Sequence, residues 1–141
     1  FLSDFSTVKE DFAKKRTEKF QKISNESFKQ CERADLMQVF DILPMEIILE
    51  KFKKENIIIL AERCENTDIL GSVKDIDLGG EILVVTGPEG GFSDREFEFF
   101  KEKGFKMATL GNLIYRAPNA VTAGVSNVIF ALEMKKRGIS N

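Results

Sequence analysis

Histidine and tryptophan are missing altogether from the 141-residue chain, tyrosine occurs once, and there are only 2 cysteines and 3 prolines. Without an imidazole, no Ser-His pair, histidine general base or histidine-ligated metal can operate, and no metal is expected. Cys31 and Cys64 are too few for a four-thiolate zinc site or a disulfide scaffold, and read as reduced thiols of a cytoplasmic protein. An excess of one charge is missing too. Against 23 Asp and Glu stand 21 Lys and Arg, a net charge of -2, so the global basic field of an autonomous nucleic-acid binder is absent. RNA or DNA must therefore meet a local patch or another domain. No apolar run approaches the ~20 residues of a membrane span, and no signal-peptide pattern opens the chain, so no membrane partner is expected.

What is present is an alternation of strand and helix signals. Thr7 with Glu10 has capping-box spacing, and Phe20, Ile23, Phe28 and Cys31 recur at helical intervals among many charges, which predicts an amphipathic helix ending near Cys31. Residues 36–40 make a short strand candidate. Pro44 suits the first position of a second helix, with Ile48 and Phe52 inward and Lys53-Lys54 in its last turn. Residues 57–60 (Ile-Ile-Ile-Leu) and 82–85 (Ile-Leu-Val-Val) are unbroken apolar runs too short for helices, the pattern of strands buried on both faces, and a loop through Gly71 and Gly79-Gly80 joins them. After Gly87-Pro88-Glu89-Gly90-Gly91, Ser93 is an N-cap with Glu96 three residues on, Phe92 can staple to Phe97, and Gly104 closes the helix. A strand over 106–110 precedes an irregular stretch through Pro118. A last helix, 119–137, carries Val121, Val125, Val128 and Leu132 on one face. The fold class is α/β, a mostly parallel sheet flanked by helices in one domain over 1–141.

In such sheets ligands bind where strands end, here at Ala61-Glu62-Arg63, at 86–91 and at 110–116. The GPEGG string is the strongest signal. Three glycines in five residues let the backbone approach a ligand and expose its amides, which suits the polar edges and carboxylate of a small cofactor. Neither a P-loop Lys-Ser/Thr nor GxGxxG is present, so ATP and NAD are poor candidates.

GPEGGFSDREF, followed about twenty positions later by Leu110-Gly111 and then Ile114-x-Arg116, together with the upstream Glu26, Gln30 and Arg33, resembles the ribosomal RNA small subunit methyltransferase E family of SPOUT methyltransferases. The resemblance covers essentially the whole chain, with GPEGGFS its most specific segment. It implies a C-terminal trefoil knot, against the general rule that chains do not thread loops. It also implies a homodimer, S-adenosylmethionine held bent in the knot, and methylation of uridine N3 in 16S ribosomal RNA of the small subunit. By position, the cofactor pocket would use Ala61, Glu62, Gly87, Pro88, Gly90, Gly91, Leu110, Gly111 and Ile114. Arg116 would be the catalytic or orienting residue, stabilising charge on the uracil oxygens. Glu89, Gln30 and Arg33 would face substrate RNA, with Glu89, Glu62 or water taking the N3 proton.

The string Arg116-Ala117-Pro118-Asn119-Ala120 departs from the family pattern, in which an acidic residue and Thr usually stand where Pro118 and Asn119 are, and Lys29 replaces a usual Glu. These changes bear on substrate contacts more than on the cofactor, and leave a catalytically impaired relative, an RNA- or cofactor-binding module, as the alternative. Family members carry an additional N-terminal barrel of the PUA type. With Phe1 in place of Met, the expectation is a piece lacking that barrel and an opening strand and helix, one that binds cofactor yet methylates RNA poorly.

Overall fold

Residues 57–60 form a strand in which no side chain can face water, and the fold is arranged around it. The computed structural model describes residues 1, 3–4, 10–31, 36–61, 64, 68–111 and 116–139, without the side chains of 10–13, 30 and 31. Along the chain these form α1 (Glu10–Cys31), α2 (Met45–Leu49), a 3-10 turn (Lys54–Asn56), β1 (Ile57–Leu60), α3 (Ile69–Ser72), β2 (Leu83–Thr86), α4 (Asp94–Lys103), β3 (Lys106–Ala108) and α5 (Ala117–Lys136). The sheet is parallel in the order β2-β1-β3, with Ile59 opposite Val85 on one side and Met107 on the other. Alternate residues of β1 serve opposite layers. Ile57 and Ile59 pack with Met45, Leu49, Phe92 and Phe100 from the α2 and α4 side. Ile58 and Leu60 pack with Val73, Ile76, Val128 and Ala131 from the α3 and α5 side. Burying each such side chain is worth about 1.5–3 kcal/mol. That two-sided demand explains the unbroken apolar run.

The α4 signals read from the sequence are all realised. Ser93 and Glu96 form a complete capping box, Phe92 meets Phe97 edge-on at 6.1 Å, and Gly104 closes the helix at φ 63°. Other expectations change. Residues 36–40 form no strand, because side chains of α1 satisfy their backbone: Gln21 Oε1 accepts from Val39 N at 2.8 Å, and Ser24 Oγ donates to Met37 O at 2.7 Å. Among the described side chains of α1 Ser24 is accordingly the buried one, while Phe20 and Ile23 are exposed. The Thr7 cap lies outside the described residues.

In α2 the inward residues are Met45 and Leu49, and the helix ends before Lys53, which caps the 3-10 turn, and Lys54, which opens it. The loop between β1 and β2 contains α3, with Gly71 inside it, capped by the Asp68 carboxylate. The strands run 83–86 and 106–108 instead of 82–85 and 106–110. β2 is only partly buried, as befits an edge. Helix α5 starts at Ala117 rather than Asn119, with Arg116 as N-cap, since Pro118 is tolerated in a first turn whose N–H groups lack helical partners. Val121 and Val125 lie on its exposed side, and Val128 with Ala131 on the buried one.

Lys135 anchors the far end of α5. Its Nζ donates to the carbonyls of Val73 (3.1 Å), Lys74 (2.8 Å) and Ile76 (2.5 Å), closing the C-terminal end of α3. Lys136, by contrast, makes one exposed pair with Glu133 at 2.8 Å. Lys135→Met should cost about 1–2 kcal/mol in urea denaturation, from three abandoned acceptors, whereas Lys136→Met should change stability by less than about 0.5 kcal/mol.

Candidate functional site

The carboxyl ends of all three strands open into one cleft with a cavity volume of about 90 Å³. Leu60 and Ala61 continue β1 into it, residues 86–88 and 90–92 follow β2, Thr109, Leu110 and Gly111 follow β3, and Phe97, Ala117 and Ala120 close it. This is the crevice expected where the connections of an open parallel sheet diverge. Here α3 links β1 to β2 on one face, and α4 carries the chain from β2 across β1 to β3 on the other.

Local chemistry shapes each wall. The amide of Gly91 donates to Pro88 O at 2.9 Å, folding GPEGG into a turn that Gly91 completes at φ 73°, a left-handed conformation that disfavours other residues. A β-carbon on Gly87 would lie 3.2 Å from the Phe92 ring, so this glycine lets the ring pack against the backbone. Phe92 is buried and meets Phe100 edge-on at 5.1 Å. On the opposite wall, Thr109 Oγ1 accepts from Gly111 N at 3.1 Å and donates to Gly111 O at 3.0 Å, holding Gly111 at φ 101°. No ionisable side chain is among the described residues that line the cleft. It offers backbone amides and carbonyls beside the apolar surfaces of Leu60, Phe92, Phe97 and Leu110. Such walls suit a flat heterocycle with polar edges better than a phosphate or a metal ion. Among the described residues there is no group of three acidic, cysteine or histidine side chains that could hold a metal.

Of the positions read from the sequence, Ala61, Gly87, Pro88, Gly90, Gly91, Leu110 and Gly111 come together here. Glu62, Ile114 and Arg33 lie outside the described residues, as does the side chain of Gln30. Glu89 sits at the exposed tip of the glycine turn, outside the lining. Arg116 is exposed beside Ala117, its carbonyl accepting from Ala120 N at 2.9 Å while its side chain has no hydrogen bond or ion pair within the described residues. Thr86, the first residue of the 86–91 segment, lines the cleft as well, whereas sequence reasoning missed Leu60, Phe92, Phe97, Thr109, Ala117 and Ala120. Thr109 was accessible as the residue just before its loop. Ala117 was hidden by the later start assigned to α5. Cys64 is a free, half-buried thiol whose pKa is pushed up by burial.

Fold and cleft together define an α/β domain built to hold a small organic ligand at its strand ends. The chain belongs to the RNA methyltransferase domain family, whose model matches residues 1–129. It is 35% identical over 126 residues to the ribosomal RNA small subunit methyltransferase E of Aquifex aeolicus, a match covering 89% of this chain and 52% of that protein. It is 33% identical over 120 residues to the enzyme of the same name from Synechocystis, covering 84% of this chain and 40% of the relative. The chain thus spans about half the length, or less, of these curated relatives. The fold is also that of the crystal structure of a ribosomal RNA small subunit methyltransferase E from Neisseria gonorrhoeae bound to S-adenosylmethionine. That likeness has a TM-score of 0.65 at 24% identity and covers 96% of this chain and 52% of the other. The resemblance read from GPEGGFS and its companion segments is borne out, as is the α/β class with a parallel sheet.

Gly124 lets α5 pack closely on Leu60, one of the residues that line the cleft. A β-carbon there would lie 2.2 Å from Leu60 Cδ1, so α5 approaches β1 only because the position is bare. Gly124→Ala should cost about 1–3 kcal/mol through overpacking and lower the melting temperature in calorimetry. At Gly79 the nearest atom, Asp77 Oδ1, is 3.4 Å away, and Gly79→Ala should leave that temperature nearly unchanged.

Proposed function

We propose that this chain is the catalytic part of an S-adenosylmethionine-dependent methyltransferase acting on uridine N3 of 16S ribosomal RNA. The observation that carries the reading is the cleft at the three strand ends, walled by the glycine turn and by the 109–111 segment, with no ionisable side chain among the described residues that line it. The names of the relatives in Aquifex and Synechocystis support the ribosomal RNA substrate. The reading includes a SPOUT-type trefoil knot in the C-terminal part, a cytoplasmic location and a homodimer. In support of the dimer, Val121, Val125, Ile129 and Phe130 leave a row of apolar side chains on α5, each 38% to 62% exposed. No described helix is long and apolar enough to cross a membrane.

The residues present fit the cofactor. Backbone groups of 87–91 and 109–111 would pair with the adenine edge, and Leu110 would cover a ring face. When bound, S-adenosylmethionine supplies a methyl group on a sulfonium whose departure as a neutral thioether needs no acid. The demand on the chain's own residues is on the acceptor, because uridine N3 carries a proton at neutral pH. Glu89, Glu62 or a water held near them would take that proton. The guanidinium of Arg116, exposed beside Ala117 and without an ion pair among the described residues, would stabilise the negative charge that then spreads over the uracil oxygens.

Titration calorimetry of the chain with S-adenosylmethionine should give one site per chain; no binding by a folded sample would contradict the cofactor assignment. Methyl transfer to undermethylated small ribosomal subunits, followed with labelled cofactor, tests the activity. Arg116→Ala should lower the transfer rate by roughly 10²-fold or more while leaving cofactor affinity within about twofold. Cofactor binding with transfer no faster than without protein, below even the poor rate expected of the chain on its own, would instead describe a binding module.

A further inference from the structure

The segment at the beginning of the chain contacts the residues that follow the glycine turn, Phe92, Ser93, Arg95 and Glu96. The Asp4 carboxylate accepts from Arg95 through Nε at 3.0 Å and through a terminal nitrogen at 2.5 Å. It also accepts from Ser93 Oγ at 2.5 Å. Ser93 is the N-cap of α4. Its hydroxyl has one proton and two lone pairs, so donating to Asp4 leaves it free to accept from Glu96 N, which it does at 3.1 Å. The Asp4 amide in turn donates to Glu96 Oε1 at 3.0 Å, while Glu96 Oε2 accepts from Ser93 N at 2.8 Å. Glu96 is only 2% exposed, so each of its oxygens has a stated partner on a different segment. A few residues away, the Phe1 ring lies parallel to Phe92 at a centroid separation of 6.5 Å. Phe92 is both a wall of the cleft and the ring against which Gly87 packs.

We infer that Asp4 is a positioning residue for cofactor binding: by locking the Ser93–Glu96 box it fixes the exit of the GPEGG turn, and with it the wall formed by residues 87–92. The inference rests on the cofactor reading above. A glycine-rich turn has many backbone conformations to lose on binding, and fixing its exit in advance removes part of that cost. The ion pair with Arg95 and the Ser93 bond hold the Asp4 carboxyl at a pKa of about 2 instead of 3.8. Because that value is lowered on folding, the clamp is fully formed above about pH 4 and is lost only as pH falls through the folded value.

Calorimetric titration of S-adenosylmethionine into the chain tests this. Asp4→Ala should raise Kd roughly three- to tenfold, the weight of about one charge-assisted hydrogen bond, at unchanged stoichiometry. Asp4→Asn, which keeps an acceptor for Ser93 and loses the charge, should fall between. Lys101→Ala removes the exposed Glu98 pair of the same helix, 2.8 Å in length, without touching the clamp, and should leave Kd unaltered. An Asp4→Ala value within twofold of the unaltered chain, or an equal loss in Lys101→Ala, would overturn the inference. If Asp4→Ala does not fold, Asp4→Asn and Arg95→Gln carry the same comparison. Should the unaltered chain bind no cofactor, the functional reading fails separately, and the clamp is judged on amide spectra of the free chain. Asp4→Ala must then shift or broaden Gly87, Gly90 and Gly91 more than Lys101→Ala does, and unchanged resonances would refute it.

Discussion

Everything in this domain depends on covering β1 from both sides. A strand of Ile57, Ile58, Ile59 and Leu60 offers no face to water, so it must sit between β2 and β3 with a helical layer on each side. Asn56, just ahead of it, fixes the entry. Its side chain donates to Asp77 O at 3.1 Å and Glu81 O at 3.0 Å and accepts from Asp77 N at 2.8 Å, tying the start of β1 to the loop before β2. That bond set satisfies a fully buried polar side chain.

The cleft is a consequence of that arrangement. Three parallel strands ending together leave their outgoing loops side by side, and α5 returns along β1 closely enough to close the floor because Gly124 has no side chain. The two glycine-bearing walls are stiffened by different means. Thr109 pins Gly111 from within its own loop, whereas the GPEGG turn is fixed at its exit by the Ser93–Glu96 box and by the Phe92 ring among other aromatics. What the described walls offer a ligand is shape, apolar surface and backbone hydrogen-bonding groups. The charged candidates, Glu89 and Arg116, stand at the rim where an RNA base would arrive, in keeping with a chain whose charges nearly balance.

Much of this was legible in the sequence because the decisive signals are local. The apolar runs, the capping box at Ser93, the staple of Phe92 on Phe97 and the left-handed Gly104 depend on neighbours a few residues apart; the helix signals and the 57–60 run are realised as read, while the second run forms a partly buried edge strand shifted by one residue. The failures share a long-range cause. Residues 36–40 have strand composition, yet Gln21 and Ser24 of α1 occupy the backbone groups a partner strand would need. The exposed Phe20 and Ile23 match the helical period as well as the buried Ser24 does, and periodicity cannot tell which stripe a distant segment covers. At the site, glycines and strand-end residues announced themselves. Ala117 and Ala120 enter only through the path of α5, and Asp4 acts on a box 89 residues further on through Ser93, a separation no motif encodes.

The central claim is that the strand ends hold S-adenosylmethionine. A crystal structure of the chain grown with that cofactor tests it most directly. The account predicts the adenine between the 87–91 turn and the 109–111 segment, with Leu110 against the ring and the methyl group directed toward the rim that bears Arg116. Cofactor density elsewhere on the molecule, or a cleft left empty at saturating cofactor, would contradict it.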